Sequence, residues 1–255
     1  MKRSISPAIL ASTLLASSLL AGVAPVQAAD NTTVVLVHGA FADGSSWDKV
    51  IPLLQAKGVN VVSVQNPLTS LADDVAAAQR VIDAQTGKVV LVGHSWGGSV
   101  ITQAGTSDKV KALVYVAAFA PSEGETSGAL GKDYPAPPGL ATLKADGSGF
   151  LYLPADSVAK NFAQDLPVAQ TRLMAATQGP IQSKAFGDVI TTAAWKNKSN
   201  YYIVAAKDRM IDPGLQRDFA KKIGAVSTTL QTSHVPMLSQ PKQVAQVILD
   251  AVAAK

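Results

Sequence analysis

Apolar runs of strand length recur along the chain and are separated by segments with helical periodicity. Most of these runs are rich in β-branched residues and apolar at successive positions, which is typical of strands buried on both faces of a sheet. The runs that predict strands are TTVVLV (32–37), VNVVSV (59–64), KVVLVG (88–93), VKALVYVAA (110–118), YYIVAA (201–206) and VSTTLQT (226–232).

Helical patterns fill most of the segments between these strands. The predicted helices span 45–58, 70–87, 95–105 and 240–254. In the second helix apolar positions recur on one face, and Asp73 and Asp74 lie near its N-terminus, where the helix dipole favours negative charge. The alternation of strands and helices therefore predicts an α/β fold, with a mainly parallel sheet of about six strands and helices on both faces.

The alternating pattern breaks after the fourth predicted strand. Residues 121–150 contain six glycines and four prolines, about a third of the stretch, against a usual share of about 12% for the two residues together. Helical patterns return in pieces before the fifth strand. We therefore expect a single domain, 29–255, that carries a cap insertion at about 121–195.

The first 28 residues have the pattern of a secretory signal peptide. Lys2 and Arg3 form a short basic head, an apolar run follows, and Val26 and Ala28 give the small residues that a signal peptidase reads. The apolar run is short for a membrane span and contains hydroxyl residues. We expect cleavage near Ala28, no stable membrane anchor afterwards, and a secreted or periplasmic protein.

Charge and residue usage exclude several classes of function. The formal charge is +4, and it falls to +2 without Lys2 and Arg3, with no basic cluster that would suggest nucleic acid as a partner. The chain has no cysteine, so thiolate catalysis, disulfides and cysteine-bound metals are excluded. Its three histidines form no HxH or HExxH pair, so we expect no histidine-based metal site.

The segment VVLVGHSWGGSV (89–100) contains a G-x-S-x-G pattern in a specific context. A buried strand precedes it and a helix follows, as required for a serine held on a sharp strand-to-helix turn. Gly93 and Gly97 leave room for the backbone to close around Ser95, and the helix N-terminus favours developing negative charge. We interpret Ser95 as a nucleophile.

A serine hydroxyl needs a base, and the base needs an acid that fixes its tautomer. His234 follows the last predicted strand and would lie at the same sheet edge as Ser95. His38 and His94 sit in turns beside strand ends and are interpreted as structural. Asp208 follows the fifth strand and is favoured as the acid over Asp212, which lies four residues further on.

Two backbone N–H groups are candidates for stabilising the oxyanion of an acyl-transfer intermediate. The first belongs to Trp96, directly after the nucleophile. The second is expected in the loop after the first strand, and Ala40 is favoured because its amide follows the flexible Gly39.

With these residues in view, the chain resembles the α/β-hydrolase superfamily, and in particular the small esterases of the hydroxynitrile lyase and methyl-salicylate esterase branch. The resemblance is carried by VVLVHGAFADGSSW, VVLVGHSWGGSV, LVYVAAFAP, AAKDRMIDP and SHVPMLSQP. It implies a triad of Ser95, Asp208 and His234, an oxyanion hole at Ala40 and Trp96, a cap after the fourth strand, and no cofactor.

Two departures from that branch bear on the reaction. The resemblance implies that cyanide-releasing members of the branch use a threonine at the position of Gly39 and a lysine at the position of Val235. This chain has neither residue, so lyase activity is disfavoured. The expected apolar pocket wall consists of Phe41, Phe119, Val235 and Met237, beside Trp96, and is closed by the cap residues Phe150, Tyr152, Phe162 and Trp195.

The sequence therefore predicts an exported serine carboxylesterase that acts on a small-molecule ester through an acyl-enzyme. A lactonase or another acyl hydrolase with the same triad remains an alternative. A binding protein that keeps the fold without turnover is the third interpretation.

Overall fold

A six-stranded parallel sheet forms the centre of the protein. The computed structural model describes Met1 and residues 31–254, so nearly all of the predicted signal peptide lies outside the described residues. The strands of the sheet are β1 (Thr33–Val37), β2 (Asn60–Val64), β3 (Val89–His94), β4 (Val110–Val116), β8 (Ser199–Ala205) and β9 (Val226–Leu230). Their order is β2-β1-β3-β4-β8-β9, and each neighbouring pair is parallel. The predicted sheet is confirmed.

Helices cover both faces of this sheet. The helices outside residues 121–195 are α1 (Ile51–Gln55), α2 (Leu71–Asp83), α3 (Gly97–Ala104), α6 (Pro213–Lys222), α7 (Pro236–Ser239) and α8 (Pro241–Ala253). The connection from β1 through α1 to β2 runs towards one edge of the sheet, whereas the connections through α2 to β3 and through α3 to β4 run towards the other edge. Because such connections are right-handed, α1 lies on the face opposite to α2 and α3. Accordingly α2 packs on α3, and α1 packs on α8.

The first predicted helix is shorter than the pattern suggested. Residues Gly44–Trp47 form a 3₁₀ turn in which the Asp43 side chain accepts from the amide of Ser45, and only Ile51–Gln55 is α-helical. Pro52 has no N–H to donate, which suits the first turn of a helix and not its middle. A helix over 45–58 was therefore wrong in extent.

Residues 121–195, here called the cap segment, lie between β4 and β8. They contain the strands β5 (Lys144–Ala145), β6 (Phe150–Tyr152) and β7 (Ile181–Gln182), a π-helical turn (Val158–Phe162), and the helices α4 (Ala155–Ser157) and α5 (Val168–Thr177). The three strands form a separate antiparallel sheet. The remainder is loop and 3₁₀ turn, in agreement with its high glycine and proline content.

The topology brings the chemically interesting residues to one edge. His38, Ser95, Phe119, Asp208 and His234 all follow the carboxyl ends of strands of the main sheet. In open parallel sheets this is the edge where ligands bind. Within residues 31–254, no helix combines the length and the apolar character that a membrane crossing requires.

Candidate active site

Ser95 occupies a strained turn between β3 and α3. Its φ angle is +52°, in the left-handed region that a non-glycine residue rarely adopts. A β-carbon on Gly93 would lie 2.5 Å from the carbonyl oxygen of Gly97, and one on Gly97 would lie 2.6 Å from that of Val37. The glycines on both sides are therefore needed for the turn to close, which is the geometry of a nucleophile elbow.

His234 and Asp208 form a buried pair. His234 Nδ1 donates to Asp208 Oδ2 over 2.7 Å, and both side chains are almost fully buried. The carboxylate receives further hydrogen bonds from the amides of Met210 and Ile211 and from the side chain of Gln216. This arrangement fixes the carboxylate against Nδ1 of the imidazole, so Nε2 is the ring atom that can accept a proton.

Asp212 has a different local role. Its Oδ1 accepts from the amides of Gly214 and Leu215, so its side chain caps the N-terminus of α6. An N-cap carboxylate satisfies amide groups that have no partner within the helix. The hydrogen bond from His234 thus goes to Asp208 and not to Asp212.

His94 connects the serine turn to the loop of His234. Its Nε2–H donates to the backbone carbonyl of His234 over 2.8 Å, and the two rings lie 4.8 Å apart between centroids. Complete burial holds the pKa of His94 well below its usual range, and the neighbouring His234 lowers it further. His94 is therefore neutral, and it ties the residue next to Ser95 in the chain to His234.

His38 stabilises the loop after β1. Its Nδ1–H donates to the carbonyl of Gly39, and its Nε2 accepts from the amide of Asn66. Burial lowers the pKa of His38, so the neutral ring that this pattern needs is the stable form. The loop passes directly against the nucleophile, because a β-carbon on Gly39 would lie 2.8 Å from the β-carbon of Ser95.

The two backbone amides proposed for the oxyanion flank this contact. Among residues 31–254, neither the N–H of Ala40 nor that of Trp96 donates to a protein acceptor. Backbone N–H groups are rarely left unpaired away from water, so two of them beside a strained serine are a notable feature. They are available to a developing oxyanion.

An apolar cavity of about 420 Å³ opens beside the site. Phe119, whose amide donates to the carbonyl of Ser95, lines it from the serine side. Met210 and Ile211, whose amides bind Asp208, line it from the acid side. Ser95 and His234 do not themselves line the cavity, but residues hydrogen-bonded to Ser95 and to Asp208 form part of its wall.

The predicted pocket residues are placed in two groups. Phe41 and Phe119 line the cavity, whereas Val235 and Met237 are buried in the core and are not among its lining residues. Of the predicted cap residues, Phe162 packs edge-on against the His234 ring, and Trp195 donates its indole N–H to the carbonyl of Pro121. Phe150 and Tyr152 do not line the cavity either; their neighbour Leu151 does.

Two buried polar side chains beside the site were missed. Gln216 donates to Asp208 Oδ2 and accepts from the amide of Ala205, which fixes the carboxylate relative to β8. Asp74 is fully buried and accepts from the indole N–H of Trp96. A signal for Asp74 existed, because it lies three residues after Leu71 and four before Ala78, and so falls on the buried face of α2.

Asp74 should make stability depend on pH in the opposite sense to most carboxylates. Burial raises its pKa from 3.8 to about 6, against the opposing hydrogen bonds from Trp96 and Leu68. Between these values the folded protein holds a proton that the unfolded chain has released, so rising pH destabilises the folded state. Relative to the parent, Asp74→Asn should gain up to about 3 kcal/mol of unfolding free energy between pH 4 and pH 7.

Urea denaturation of parent and variant at several pH values measures this difference. Asp73→Asn is the matched control, since hydrogen bonds from Thr69 and Ser70 lower the pKa of the exposed Asp73 carboxyl. Its slope should have the opposite sign. A difference between Asp74→Asn and the parent that stays constant with pH would contradict the assignment.

Residues 34–247 match the alpha/beta hydrolase family.

The chain belongs to the α/β-hydrolase family.

Three comparisons place it more closely within this family. It is 26% identical to a pyrethroid hydrolase of Sphingobium wenxiniae over 86% of this chain and 87% of that protein. It is 27% identical to methylesterase 2 of Arabidopsis thaliana over 84% of this chain and 94% of that protein. The crystal structure of polyneuridine aldehyde esterase superposes with a TM-score of 0.76 at 22% identity, covering 87% of this chain and 99% of the other, which supports the fold. The chain is thus an α/β-hydrolase similar to esterases of the branch suggested by its motifs.

Proposed function

We propose that this protein is an exported serine carboxylesterase that hydrolyses small carboxylic esters through an acyl-enzyme. The observation that carries the proposal is the combination of a left-handed Ser95 with a buried His234–Asp208 pair joined to its turn by His94. Strained backbone at a serine is maintained only where the surrounding structure enforces it, and it is concentrated at functional sites.

In the first half-reaction, Ser95 Oγ attacks the carbonyl carbon of the ester while His234 Nε2 takes the hydroxyl proton. Asp208 stabilises the resulting imidazolium through Nδ1. The oxyanion of the tetrahedral intermediate accepts hydrogen bonds from the amides of Ala40 and Trp96. The bond to the alcohol oxygen then breaks, and the imidazolium gives its proton to the leaving alkoxide.

In the second half-reaction, a water molecule gives a proton to His234 Nε2 and attacks the acyl carbon. The same two amides stabilise the second oxyanion. When the bond to Ser95 Oγ breaks, the imidazolium returns the proton to the serine, and the carboxylic acid leaves. The cycle as written uses the protein side chains, these two backbone amides and water.

The cavity indicates an apolar substituent on the substrate. Its lining is dominated by aliphatic and aromatic side chains such as Phe41, Phe119, Leu143, Leu151 and Phe186. A volume of about 420 Å³ falls within the range of about 300–1,000 Å³ that is usual for small-molecule sites. Similarity to a pyrethroid hydrolase and to a methylesterase supports a small ester as substrate.

Other features of the proposal rest on the sequence. The signal-peptide pattern of residues 1–28 supports a secreted or periplasmic location. Gly39 and Val235 support hydrolysis over lyase chemistry. At these positions the resemblance implies a threonine and a lysine in cyanide-releasing members of the branch. Val235 is moreover buried and offers no charge to a cyanide leaving group.

A fluorophosphonate probe tests the proposal directly. We expect covalent labelling of the purified protein, with the adduct on the peptide that contains Ser95 by mass spectrometry. A panel of aryl esters, methyl esters and lactones with matched apolar groups then identifies the reaction. Faster turnover of lactones would favour the alternative lactonase, and a protein that is neither labelled nor active on any ester would contradict the proposal.

A further inference from the structure

Asp74 is a buried carboxylate that the proposed reaction does not use. Its side chain is fully inaccessible to solvent. Its Oδ2 accepts from the indole Nε1–H of Trp96 over 2.7 Å, and its Oδ1 accepts from the amide of Leu68 over 2.7 Å. Both partners are neutral donors, and within residues 31–254 no Lys, Arg or His forms an ion pair with it.

Burying a carboxylate without a cation is costly, so the contact calls for a reason. Helix capping does not supply it, because the side chain that caps α2 is that of Ser70, which accepts from the amide of Asp73. The oxygens of Asp74 bind groups outside the helix. The two donors that it holds belong to the serine turn and to the loop before α2.

Trp96 is fixed from two sides by this arrangement. The Asp74 carboxylate holds the indole N–H, and the Phe186 ring packs edge-on against the indole with centroids 5.2 Å apart. The Trp96 side chain is 1% exposed, so its ring has no room to reorient. Its backbone begins α3 directly after the strained Ser95, and its amide is one of the two proposed oxyanion donors.

The other oxygen of Asp74, Oδ1, binds a loop residue that in turn contacts the cap segment. Leu68, whose amide it binds, has a φ of +59°, and the Leu68 carbonyl accepts from the amide of Gln182 in β7. Phe186, which packs on Trp96, lies on the same stretch of the cap segment and also lines the apolar cavity. Asp74 therefore joins the nucleophile turn to the cap segment through Trp96 and the strained Leu68.

We propose that Asp74 is a positioning residue for the nucleophile turn, and that it acts through the Trp96 indole to hold the Trp96 amide in place for the oxyanion. This inference rests on the proposed function, because it assigns the purpose of the contact to that reaction. Its effect should fall on the chemical step and not on substrate binding, since the oxyanion exists only after attack.

The groups that face Asp74 are few. Asp73 precedes it on α2, and its charge also acts on Asp74. From the cap segment, Asp188 accepts from the amide of Leu71 at the start of the same helix. From α3 and the loop before α2, the partners are the neutral Trp96 and Leu68.

A double-variant cycle on kcat tests the inference with an activated aryl ester. Asp74→Asn keeps the shape of the side chain but presents an amide N–H to one of the two donors, so we expect kcat to fall about tenfold with KM changed less than threefold. This is smaller than the loss of about 10²–10³ expected when a donor is removed outright. Trp96→Phe, which removes the indole N–H and keeps the amide, should also lower kcat.

The combination of the two changes is the decisive measurement. If Asp74 acts through the indole, Asp74→Asn has no further effect in the Trp96→Phe background, whereas independent effects on kcat would multiply. Asp73→Asn is the matched control on the preceding residue of α2, whose hydrogen bonds go to Thr69 and Ser70 and not to Trp96, and its kcat should equal that of the parent. If Asp74→Asn fails to fold, Trp96→Phe tests the same hydrogen bond, because its loss should lower kcat and leave KM nearly unchanged.

The outcomes separate this inference from the proposed function. An active parent whose kcat is unaffected by Asp74→Asn, or whose two single effects multiply in the double variant, overturns the positioning role and leaves the esterase proposal intact. So does a Trp96→Phe variant that changes KM alone. A parent that neither hydrolyses esters nor reacts with a fluorophosphonate at Ser95 overturns both.

Discussion

Ser95→Ala is expected to lower kcat on an activated ester by about 10⁵–10⁶-fold while the fold remains intact. The change removes the only hydroxyl that the turn between β3 and α3 presents at the sheet edge, and alanine leaves His234 without a proton to take. Binding and the two backbone amides remain, so a small residual rate should persist. Hydrolysis of an aryl ester, measured with protein free of contaminating esterases, gives the value.

Ser99→Ala is a suitable control for this experiment. Ser99 lies four residues further along, in α3, and its buried hydroxyl bonds that of Ser127. Its loss removes a hydroxyl of the same kind from ordinary helical backbone, so kcat should stay within tenfold of the parent. Ser95→Ala with activity in that same range would show that Ser95 is not the nucleophile.

The sheet could be predicted from the sequence because its strands are buried on both faces. A continuous apolar run such as VVLV in β3 has no other stable position in a chain with this alternation of elements. The structure of residues 45–58 was harder to predict, because the spacing of their apolar residues suits one continuous helix. The Asp43 cap instead starts a separate 3₁₀ turn, and Pro52 lies in the first turn of a short helix that follows it. Local backbone chemistry decided that element, and periodicity alone does not show it.

Only those residues of the candidate site that lie at strand ends or in a recognisable turn could be predicted from the sequence. Ser95, His234 and Asp208 follow strands of one parallel sheet, so their common edge follows from topology. Val235 and Met237 were expected in the pocket wall because they are apolar and follow His234, yet residues of the cap segment and of the loop after Asp208 line the cavity instead. The arrangement of a cap depends on contacts between distant segments.

The hydrogen-bond partners of buried polar side chains near the site are the hardest feature to predict from sequence patterns. Gln216 and Asp74 lie on helices whose spacing indicates a buried face, but a pattern cannot name the donor each side chain meets. The partner of Gln216 is eight residues away in the chain, and the partner of Asp74 is 22 residues away. Only the packing of α6 and α2 against the sheet brings these pairs together.

Asp208→Asn should lower kcat by about 10⁴-fold, whereas Asp212→Asn should leave it within tenfold of the parent. Asp208 Oδ2 accepts from His234 Nδ1, and an amide N–H facing that nitrogen would favour the tautomer with its proton on Nε2, which cannot take the proton of Ser95. The amides of Met210 and Ile211 both donate to the other oxygen, Oδ1, so the introduced amide cannot turn its N–H away from His234 without facing these two donors.

Asp212→Asn is the matched control, because it makes the same chemical change four residues further along. Asn is nearly as good an N-cap as Asp, so α6 should keep its start and its stability. Circular dichroism establishes that both variants are folded, and kcat on one ester then separates them. Because only the carboxylate that fixes the histidine tautomer can have the large effect, an inactive Asp212→Asn beside an active Asp208→Asn would assign the acid of the triad to Asp212.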